Sequence, residues 1–149
     1  MTLIAVSGNL MAADSWTWAD DIGYPAKEPK ICRAPDGSLV AGCGYTADCY
    51  ALREWTLAGM DFKNPPAVRD ENSDQELIWL WLRPGGRVYH LSSKFVPVEM
   101  TGPIAIGWGS AASMVIGALL HNVPIVNAMR TAILRCPYVG GEVQVERVE

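Results

Sequence analysis

The chain has 149 residues, enough for one domain with a hydrophobic core and too short for two. Half of the residues are hydrophobic and 19% are charged, a balance typical of folded globular proteins and not of disordered ones. The net charge of -4 and the scattered Lys and Arg residues argue against a nucleic-acid-binding protein, which needs clustered positive charge. We therefore expect a single domain over residues 1–149 that does not bind nucleic acid.

The N-terminal segment is predicted to form a hairpin of short strands. Leu3–Val6 and Leu10–Ala13 are apolar runs separated by the turn pair Gly8-Asn9, which is the pattern of two antiparallel strands. The segment Asp20–Glu28 is polar and contains a glycine and a proline. It is therefore predicted to be a loop that leads to the next strand.

A second pair of strands and a helix are predicted next. Lys30–Arg33 and Leu39–Cys43 flank the turn sequence Pro-Asp-Gly-Ser at residues 35–38. Thr46 is predicted to cap a helix that runs to about Ala58, since a threonine oxygen can accept a hydrogen bond from the first free N–H groups. The polar residues 61–74, which include two prolines, are predicted to form a long connection.

The centre of the sequence predicts a buried hairpin. Glu76–Leu82 and Arg87–Leu91 are joined by a Pro-Gly-Gly turn. Trp79 and Trp81 alternate with aliphatic residues in the first of these strands, so both of its faces are apolar. Such a strand is typical of the middle of a sheet that other elements cover on both sides.

A long stretch between Glu99 and Arg130 contains no charged residue. A membrane-spanning helix needs about 20 predominantly apolar residues, and glycines, prolines, a histidine and an asparagine interrupt this stretch. We therefore predict a buried strand followed by buried helices, and no membrane association. The predicted elements are Ile104–Gly107, Ser110–Leu120 and Pro124–Leu134.

Val143–Arg147 is predicted to be the last strand. Antiparallel strand pairs with helices on both faces of the sheets make a layered α+β fold. The sequence Gly107-x-Gly109 before a helix resembles a nucleotide-binding loop only superficially, because a third glycine and a βαβ unit are lacking. Nucleotide binding is therefore not predicted.

The cysteines and histidines do not form a metal-binding pattern. No pair of cysteines has CxxC spacing, and His90 and His121 lie far from them in the sequence. We therefore expect no metal, no cofactor, and free thiols in a reducing cytoplasm. Met1–Val6 also lacks the basic region of a signal peptide. The four thiols belong to Cys32, Cys43, Cys49 and Cys136.

The same first residues, Met1–Val6, resemble the mature start of proteasome β-type subunits and of their bacterial homologue HslV. The resemblance implies the fold of the N-terminal-nucleophile hydrolases, a four-layer αββα sandwich with largely antiparallel sheets, and the activity of a threonine peptidase. Thr2 would be the nucleophile after ordinary removal of Met1. Its hydroxyl is weakly nucleophilic, but the α-amine of the same residue can accept the hydroxyl proton. An attached Met1 turns that amine into an amide and removes its basicity.

Two further stretches resemble catalytic segments of the family. Met11–Ser15 resembles the strand that ends in a catalytic aspartate, here Asp14. The Pro-Lys-Ile sequence around Lys30 resembles a lysine–aliphatic pair of the family. The resemblance implies that Lys30 lies beside the Thr2 hydroxyl and lowers its pKa by positive charge. Asp14 would pair with Lys30 and keep it charged.

The Gly42-Cys43-Gly44 sequence resembles the glycine turn of the family. By resemblance, the backbone N–H of Gly44 would face the developing oxyanion. Gly42 would line the pocket for the substrate side chain, with Cys43 and Trp108 close to it. Later segments resemble the family in the same order, so the likeness covers nearly the whole chain: Ile106–Ser110 and Pro137–Val143.

Three positions depart from the family. A serine is usual where Trp108 stands, and Cys136 and Val139 align with a usual aspartate and a usual serine. In the family these groups form a hydrogen-bond cluster around the terminal amine. Two hypotheses follow: a slow or specialised peptidase, or a catalytically degenerate protein that keeps the fold for assembly or partner binding. A third is a structural or accessory protein that uses the sandwich as a scaffold.

The resemblance also implies partners. The family works as rings, so a homo-oligomer is expected, either a closed ring or an open helical array. A polypeptide would be the substrate of an active protein, and an ATPase or another protein a partner. Trp16 and Trp18 are predicted to be exposed in a loop, where they would form a contact surface. Compact HslV-like sequences of this kind occur in phages and bacteria, and a cytoplasmic location is expected.

Overall fold

The structure is a computed structural model that describes residues 1–19 and 22–149. Asp20 and Asp21, at the start of the predicted loop, lie outside the described residues. Eleven strands and three helices occur in the described part of the chain. In chain order they are β1 Leu3–Ser7, β2 Leu10–Ala13, β3 Trp16–Ala19, β4 Ile22–Pro25, β5 Cys32–Arg33, β6 Leu39–Cys43, α1 Thr46–Leu57, β7 Ile78–Leu82, β8 Val88–Leu91, β9 Val98–Met100, β10 Ile104–Gly107, α2 Gly109–Leu120, α3 Ile125–Arg135 and β11 Gln144–Arg147.

The strands form two larger sheets and a separate hairpin. The first sheet has the strand order β10-β1-β2-β11, the second sheet has the order β5-β6-β7-β8-β9, and β3 pairs with β4. Each of these neighbouring pairs is antiparallel. The predicted α+β class with largely antiparallel sheets is therefore confirmed.

Three buried clusters hold the elements together. Leu3 and Ala5 of β1 pack with α2 and α3, whereas the alternate residues Ile4 and Val6 pack against the second sheet. A third cluster lies on the other face of the second sheet, where Trp79 packs with residues of α1. Because both faces of β1 are buried, its sequence is an uninterrupted apolar run.

Helix α1 begins without a side-chain cap. Tyr45 is its N-cap residue, with an extended backbone and no side-chain hydrogen bond, and Thr46 is the first helical residue. The prediction that Thr46 caps the helix is therefore wrong. The buried side chains of Leu52 and Trp55 anchor the helix to the second sheet, so tertiary packing replaces the missing cap.

Two strand predictions also differ from the structure. Much of the predicted loop is strand β4, and its partner β3 contains Trp16 and Trp18, which are half-buried. The packing of these rings outweighs the turn-forming glycine and proline of β4. Strand β5 begins at Cys32 and not at Lys30. The backbone N–H of Lys30 donates to the side-chain Oε1 of Gln144 at 2.9 Å instead of joining a strand ladder.

The uncharged stretch divides into β10, α2 and α3, close to the predicted bounds. Asn122 has a φ of +60 and Pro124 is the N-cap residue of α3, so a tight turn separates the two helices. None of the helices in residues 1–19 and 22–149 is both long and apolar enough to cross a bilayer.

Candidate active site

Thr2 lies directly before β1, at the edge of a cleft of about 1240 Å³. The pairing of β1 with β10 places it beside the junction of β10 and α2, where the backbone N–H of Trp108 donates to the Thr2 carbonyl at 2.9 Å. Gly107 has a φ of +113, and a Cβ there would lie 1.9 Å from the same carbonyl oxygen. The junction needs glycine for this close approach, and it fixes the backbone of Thr2.

Lys30 connects the Thr2 hydroxyl to a buried carboxylate. Its Nζ lies 3.2 Å from Thr2 Oγ1 and 2.6 Å from Asp14 Oδ1. It also donates to the backbone carbonyl of Met1 at 3.4 Å. The side chain of Lys30 is only 11% exposed. Three of the four residues that the sequence suggested for catalysis therefore lie in contact, and the fourth, Gly44, lies in the wall of the same cleft.

Asp14 is completely buried at the end of β2. Its Oδ1 accepts a hydrogen bond from the backbone N–H of Leu3 at 2.9 Å as well as from Lys30. Its Oδ2 accepts from the backbone N–H of Gly140 at 3.2 Å. A buried carboxylate is tolerated when cationic and N–H donors surround it, and these three donors meet that need.

Gln144 is a site residue that the sequence did not suggest. It lies opposite Ala13 in the β11–β2 pairing, one residue from Asp14. Its Oε1 accepts the 2.9 Å hydrogen bond from the backbone N–H of Lys30, so the residue that carries the ammonium group is tied to the first sheet. The contact joins residues 114 positions apart, and no local pattern could have indicated it.

The electrostatics of the site lower the basicity of two amino groups. Burial lowers the pKa of Lys30, because its ammonium group is largely removed from water, while the charge and hydrogen bond of Asp14 act in the opposite direction. Burial also lowers the pKa of the Met1 α-amine, and the positive charge of Lys30 adds to this effect. An amine in these surroundings is more readily neutral near physiological pH than an exposed one.

The Gly42–Gly44 turn forms another part of the cleft wall, together with Cys43. Gly44 has a φ of +139, and a Cβ there would lie 2.9 Å from the carbonyl oxygen of Glu76. A Cβ at Gly42 would lie 2.8 Å from a methyl group of Leu52. Gly44 therefore requires glycine for its backbone conformation, and a larger residue at Gly42 would displace the Leu52 side chain of α1.

Two thiols lie at the same cleft. Burial raises the pKa of Cys43 to about 12 and that of Cys49 to about 11. The Sγ of Cys49 lies 3.6 Å from the carbonyl oxygen of Gly42, and the thiol donates a weak hydrogen bond to it. Both thiols are therefore protonated at neutral pH and are poor nucleophiles.

The positions that depart from the resembled family bring apolar groups together near Thr2. Trp108 lines the cleft beside Thr2, and its ring packs on Tyr138 with centroids 4.6 Å apart. Cys136 and Val139 are buried in the cluster against which Trp108 packs. The Sγ of Cys136 lies 3.8 Å from the hydroxyl of Ser110.

The described residues contain no group of three or more His, Cys, Asp or Glu side chains that could hold a metal ion.

Comparison with solved structures identifies proteins with the same architecture. The structure of Thiobacillus denitrificans BPH matches with a TM-score of 0.72 and 19% identity, over 100% of this chain and 99% of that one. The complex of that protein with epoxomicin matches with a TM-score of 0.71 and 18% identity, over 99% and 98% of the two chains. HslV from Trypanosoma brucei matches with a TM-score of 0.70 and 18% identity, also over 99% and 98%.

Neither the protein-family models nor the curated protein sequences give a match to this chain. The structural likeness nevertheless extends over the full length of both partners in each comparison. The predicted resemblance to HslV is thereby confirmed at the level of the fold. The chain has the HslV-like fold that these solved structures share.

Proposed function

We propose that the chain is a threonine-type peptidase subunit in which Thr2, freed by removal of Met1, attacks the peptide bond. The observation that carries the proposal is the placement of Lys30 Nζ, 3.2 Å from Thr2 Oγ1 and 2.6 Å from the buried carboxylate of Asp14. A buried lysine in contact with a hydroxyl favours the alkoxide form of that hydroxyl by its positive charge. Asp14 keeps the lysine protonated at this place.

The reaction needs a base and an oxyanion site besides the nucleophile. In the proposed mechanism the α-amine of Thr2 takes the proton from Oγ1, directly or through a water molecule, while Oγ1 bonds to the carbonyl carbon. The carbonyl oxygen becomes an oxyanion that the backbone N–H of Gly44 stabilises. The proton that the α-amine of Thr2 took up then passes to the nitrogen of the leaving amine, and the C–N bond breaks. Water hydrolyses the resulting ester and restores Thr2.

The wider architecture supports the same proposal. The three buried clusters support four layers, in the order α2 and α3, first sheet, second sheet, α1, within a single domain of residues 1–149. In this arrangement Thr2, directly before β1, lies between the two sheets. The glycine turn of the second sheet and the lysine that precedes β5 then reach it from the opposite side.

The alternative proposal is a catalytically degenerate subunit that keeps this fold for assembly or partner binding. The observation that favours it is that Trp108 lines the cleft beside Thr2, while Cys136 and Val139, where the resembled family has a carboxylate and a hydroxyl, are buried among apolar side chains. Without such groups the amine is less well oriented for proton transfer. The two proposals differ in whether a free Thr2 hydrolyses peptides.

The deciding experiment compares chains that begin at Met1 and at Thr2, the latter prepared by cleavage of a removable N-terminal fusion. Intact mass verifies each terminus, and release of fluorophore from a set of peptide amides measures turnover. We expect turnover only with the free Thr2 amine, and its loss in Thr2→Ala. The matched control is Thr101→Ala, because Thr101 is exposed and outside the cleft. No turnover by the chain that begins at Thr2 would favour the degenerate subunit.

The proposal includes the setting in which the subunit works. We infer a homo-oligomer, a ring or an open helical array, in the cytoplasm of a bacterium or of a phage-infected cell. A polypeptide is the substrate and an ATPase or another protein is a partner. The HslV-like fold supports the assembly, while the other parts of this setting rest on the resemblance seen in the sequence.

A further inference from the structure

Resting on the proposed function, we propose that an aromatic wall beside Thr2 is a substrate subsite for an aromatic or large aliphatic side chain of the bound polypeptide. The aromatic wall is the row of rings of Trp16, Trp18, Tyr138 and Trp108. Trp18 and Trp108 line the cleft, and Trp16 and Tyr138 pack against these two rings. The surface is distinct from the glycine turn of the second sheet.

The rings of the aromatic wall form a continuous series. The centroids of Trp16 and Trp18 lie 6.3 Å apart, those of Trp18 and Tyr138 5.8 Å, and those of Tyr138 and Trp108 4.6 Å. All three pairs are tilted and fall in the range of favourable aromatic contacts. The last ring belongs to the residue whose backbone N–H binds the Thr2 carbonyl, so the series ends at the nucleophile.

Glycines hold the far end of the aromatic wall in place. A Cβ added at Gly23 would lie 2.8 Å from the rings of both Trp16 and Trp18. A Cβ at Gly140 would lie 2.7 Å from Trp16. The rings therefore pack directly on backbone, and the surface is formed before a ligand arrives. A preformed surface binds with a smaller entropic cost than one that must be ordered.

The aromatic wall keeps part of its apolar surface accessible. Trp18 and Trp108 line the cleft with Thr2, both are half-buried, and Tyr138 is 37% exposed. The four rings carry no charge, and the ammonium group of Lys30, which contacts Thr2, is already paired with Asp14. The chemistry that matches this surface is an apolar, preferably aromatic, side chain adjacent to the scissile bond.

Trp108 is also the N-cap residue of α2, where it makes no side-chain capping bond. Serine is among the best residues for this position, and tryptophan offers the helix no acceptor. Local helix preference therefore does not explain this residue, and its contacts with Tyr138 and the cleft do. The substitution Trp108→Ser removes the ring while it supplies a cap, so the variant is expected to fold.

The test measures binding separately from hydrolysis. The chain that begins at residue 2 and carries Thr2→Ala is titrated by calorimetry with two blocked peptides that differ in one residue, Phe or Ala. We expect the Phe peptide to bind about five- to tenfold more tightly. Trp108→Ser should reduce this ratio to below about twofold, and Tyr138→Leu to an intermediate value.

The matched control is Trp81→Phe. Trp81 lies outside the cleft, and its buried indole N–H has no hydrogen-bond partner among the described residues, so this change removes a tryptophan at little cost. An unchanged Phe/Ala ratio in Trp108→Ser, or an equal fall in Trp81→Phe, would overturn the subsite. Hydrolysis by the chain with free Thr2 is scored independently. If the Phe/Ala affinity ratio depends on Trp108 but the chain with free Thr2 hydrolyses no peptide, the subsite is supported and the peptidase proposal is contradicted.

Discussion

At the residue scale, Asp14 joins three parts of the chain through one buried carboxylate. Its partners are the first backbone N–H of β1, the N–H of Gly140 and the ammonium group of Lys30. Asp14→Asn removes the charge that compensates the buried lysine and places an amide donor near backbone donors. We expect the free energy of unfolding to fall by about 3–5 kcal/mol, measured by urea denaturation at neutral pH.

The control for this change is an exposed ion pair. Arg33 Nη2 and Glu146 Oε2 lie 2.8 Å apart, but both side chains are about half exposed to solvent. Glu146→Gln should therefore change the free energy of unfolding by less than about 1 kcal/mol. Equal effects of Asp14→Asn and Glu146→Gln would contradict the view that Asp14 compensates a buried charge.

Gln144 should act as a positioning residue for Lys30. Gln144→Leu leaves the Lys30 backbone N–H without its acceptor, so Nζ is expected to shift away from Thr2 Oγ1. Activity of the chain with free Thr2 should fall by about tenfold or more in kcat/KM, mainly through kcat. Gln144→Glu keeps a side-chain acceptor and should retain most of the activity. A loss of the same size in both variants would argue against positioning through this hydrogen bond.

The pKa shifts predict the pH dependence of hydrolysis. As the pH falls through the pKa of the α-amine, the amine becomes protonated and cannot act as a base. Burial, and then the charge of Lys30, lower the pKa of the Met1 α-amine. We expect the amine that removal of Met1 exposes on Thr2 to experience the same burial and charge, so the rising limb of kcat/KM should lie below the ordinary value of 8.0. As the pH rises through the lowered pKa of Lys30, its positive charge is lost. The falling limb should therefore lie below 10.5.

The measurement is a pH profile of kcat/KM between the limits of stable folding. A rising limb above 8.0 would show that the amine is stabilised in its charged form, contrary to this account. A profile without a falling limb would show that the charge of Lys30 is not required.

The sequence located some of these residues and not others. Thr2 directly precedes the first predicted strand, Asp14 follows the second and Lys30 begins the third, and their order suggested a common site by resemblance. Gln144 gave no such signal, because its contact depends on which strand pairs with β2. A single glutamine near the end of a chain is otherwise an ordinary strand residue.

At the element scale, the junction of β10 and α2 sets the position of the nucleophile. Gly107→Ala places a Cβ 1.9 Å from the Thr2 carbonyl oxygen at a φ of +113. The strained backbone alone should cost about 1–3 kcal/mol, and the displacement of Thr2 should abolish turnover. Thermal unfolding and peptide hydrolysis measure the two effects.

A second glycine nearby provides a matched control. Gly117 lies inside α2, and a Cβ there would meet no atom within 4 Å. Gly117→Ala should therefore stabilise the protein by about 0.5–1 kcal/mol and leave hydrolysis unchanged. A large loss of activity in Gly117→Ala would show that α2 as a whole, and not the junction, controls Thr2.

The elements differ in how far their sequences predict them. Leu39–Cys43 was predicted with its observed bounds, because this strand has buried neighbours on both sides and a clear preceding turn. Val98–Met100 was not predicted. It is a three-residue edge strand whose side chains are all exposed, so no burial pattern marks it. The hairpin of β3 and β4 was missed for a related reason, since its packing partners are rings from distant loops.

At the scale of the whole molecule, several large apolar side chains face solvent. Leu134 on α3 is 85% exposed, Ile22 on β4 is 66% exposed and Leu120 at the end of α2 is 65% exposed. Single exposed apolar side chains also occur on monomers, and under the proposed assembly these three are candidates for the contacts between subunits. We therefore expect particles larger than a monomer at micromolar concentration, measured by mass photometry and by electron microscopy.

Two charge variants locate the contact surface. Leu134→Glu and Ile22→Glu each place a carboxylate at one exposed apolar position, on α3 and on β4. The variant that lies in the interface should dissociate the particles because an unpaired buried charge is costly. The exposed residue Thr101 offers a neutral comparison, Thr101→Glu. A monomer at all accessible concentrations would contradict the proposed assembly.

The protonated thiols of Cys43 and Cys49 have a practical consequence for chemical probes. Alkylating reagents react with thiolates, and pKa values of about 12 and 11 leave very little thiolate at neutral pH. In the proposed mechanism the Thr2 α-amine takes the hydroxyl proton during attack, and neither thiol has such a base. We therefore expect an electrophilic probe that enters the cleft to modify Thr2 in preference to Cys43 and Cys49, although sulfur is ordinarily the softer nucleophile. Inactivation by such a probe, followed by peptide mapping of the adduct, would report on the hydroxyl without prior blocking of the cysteines.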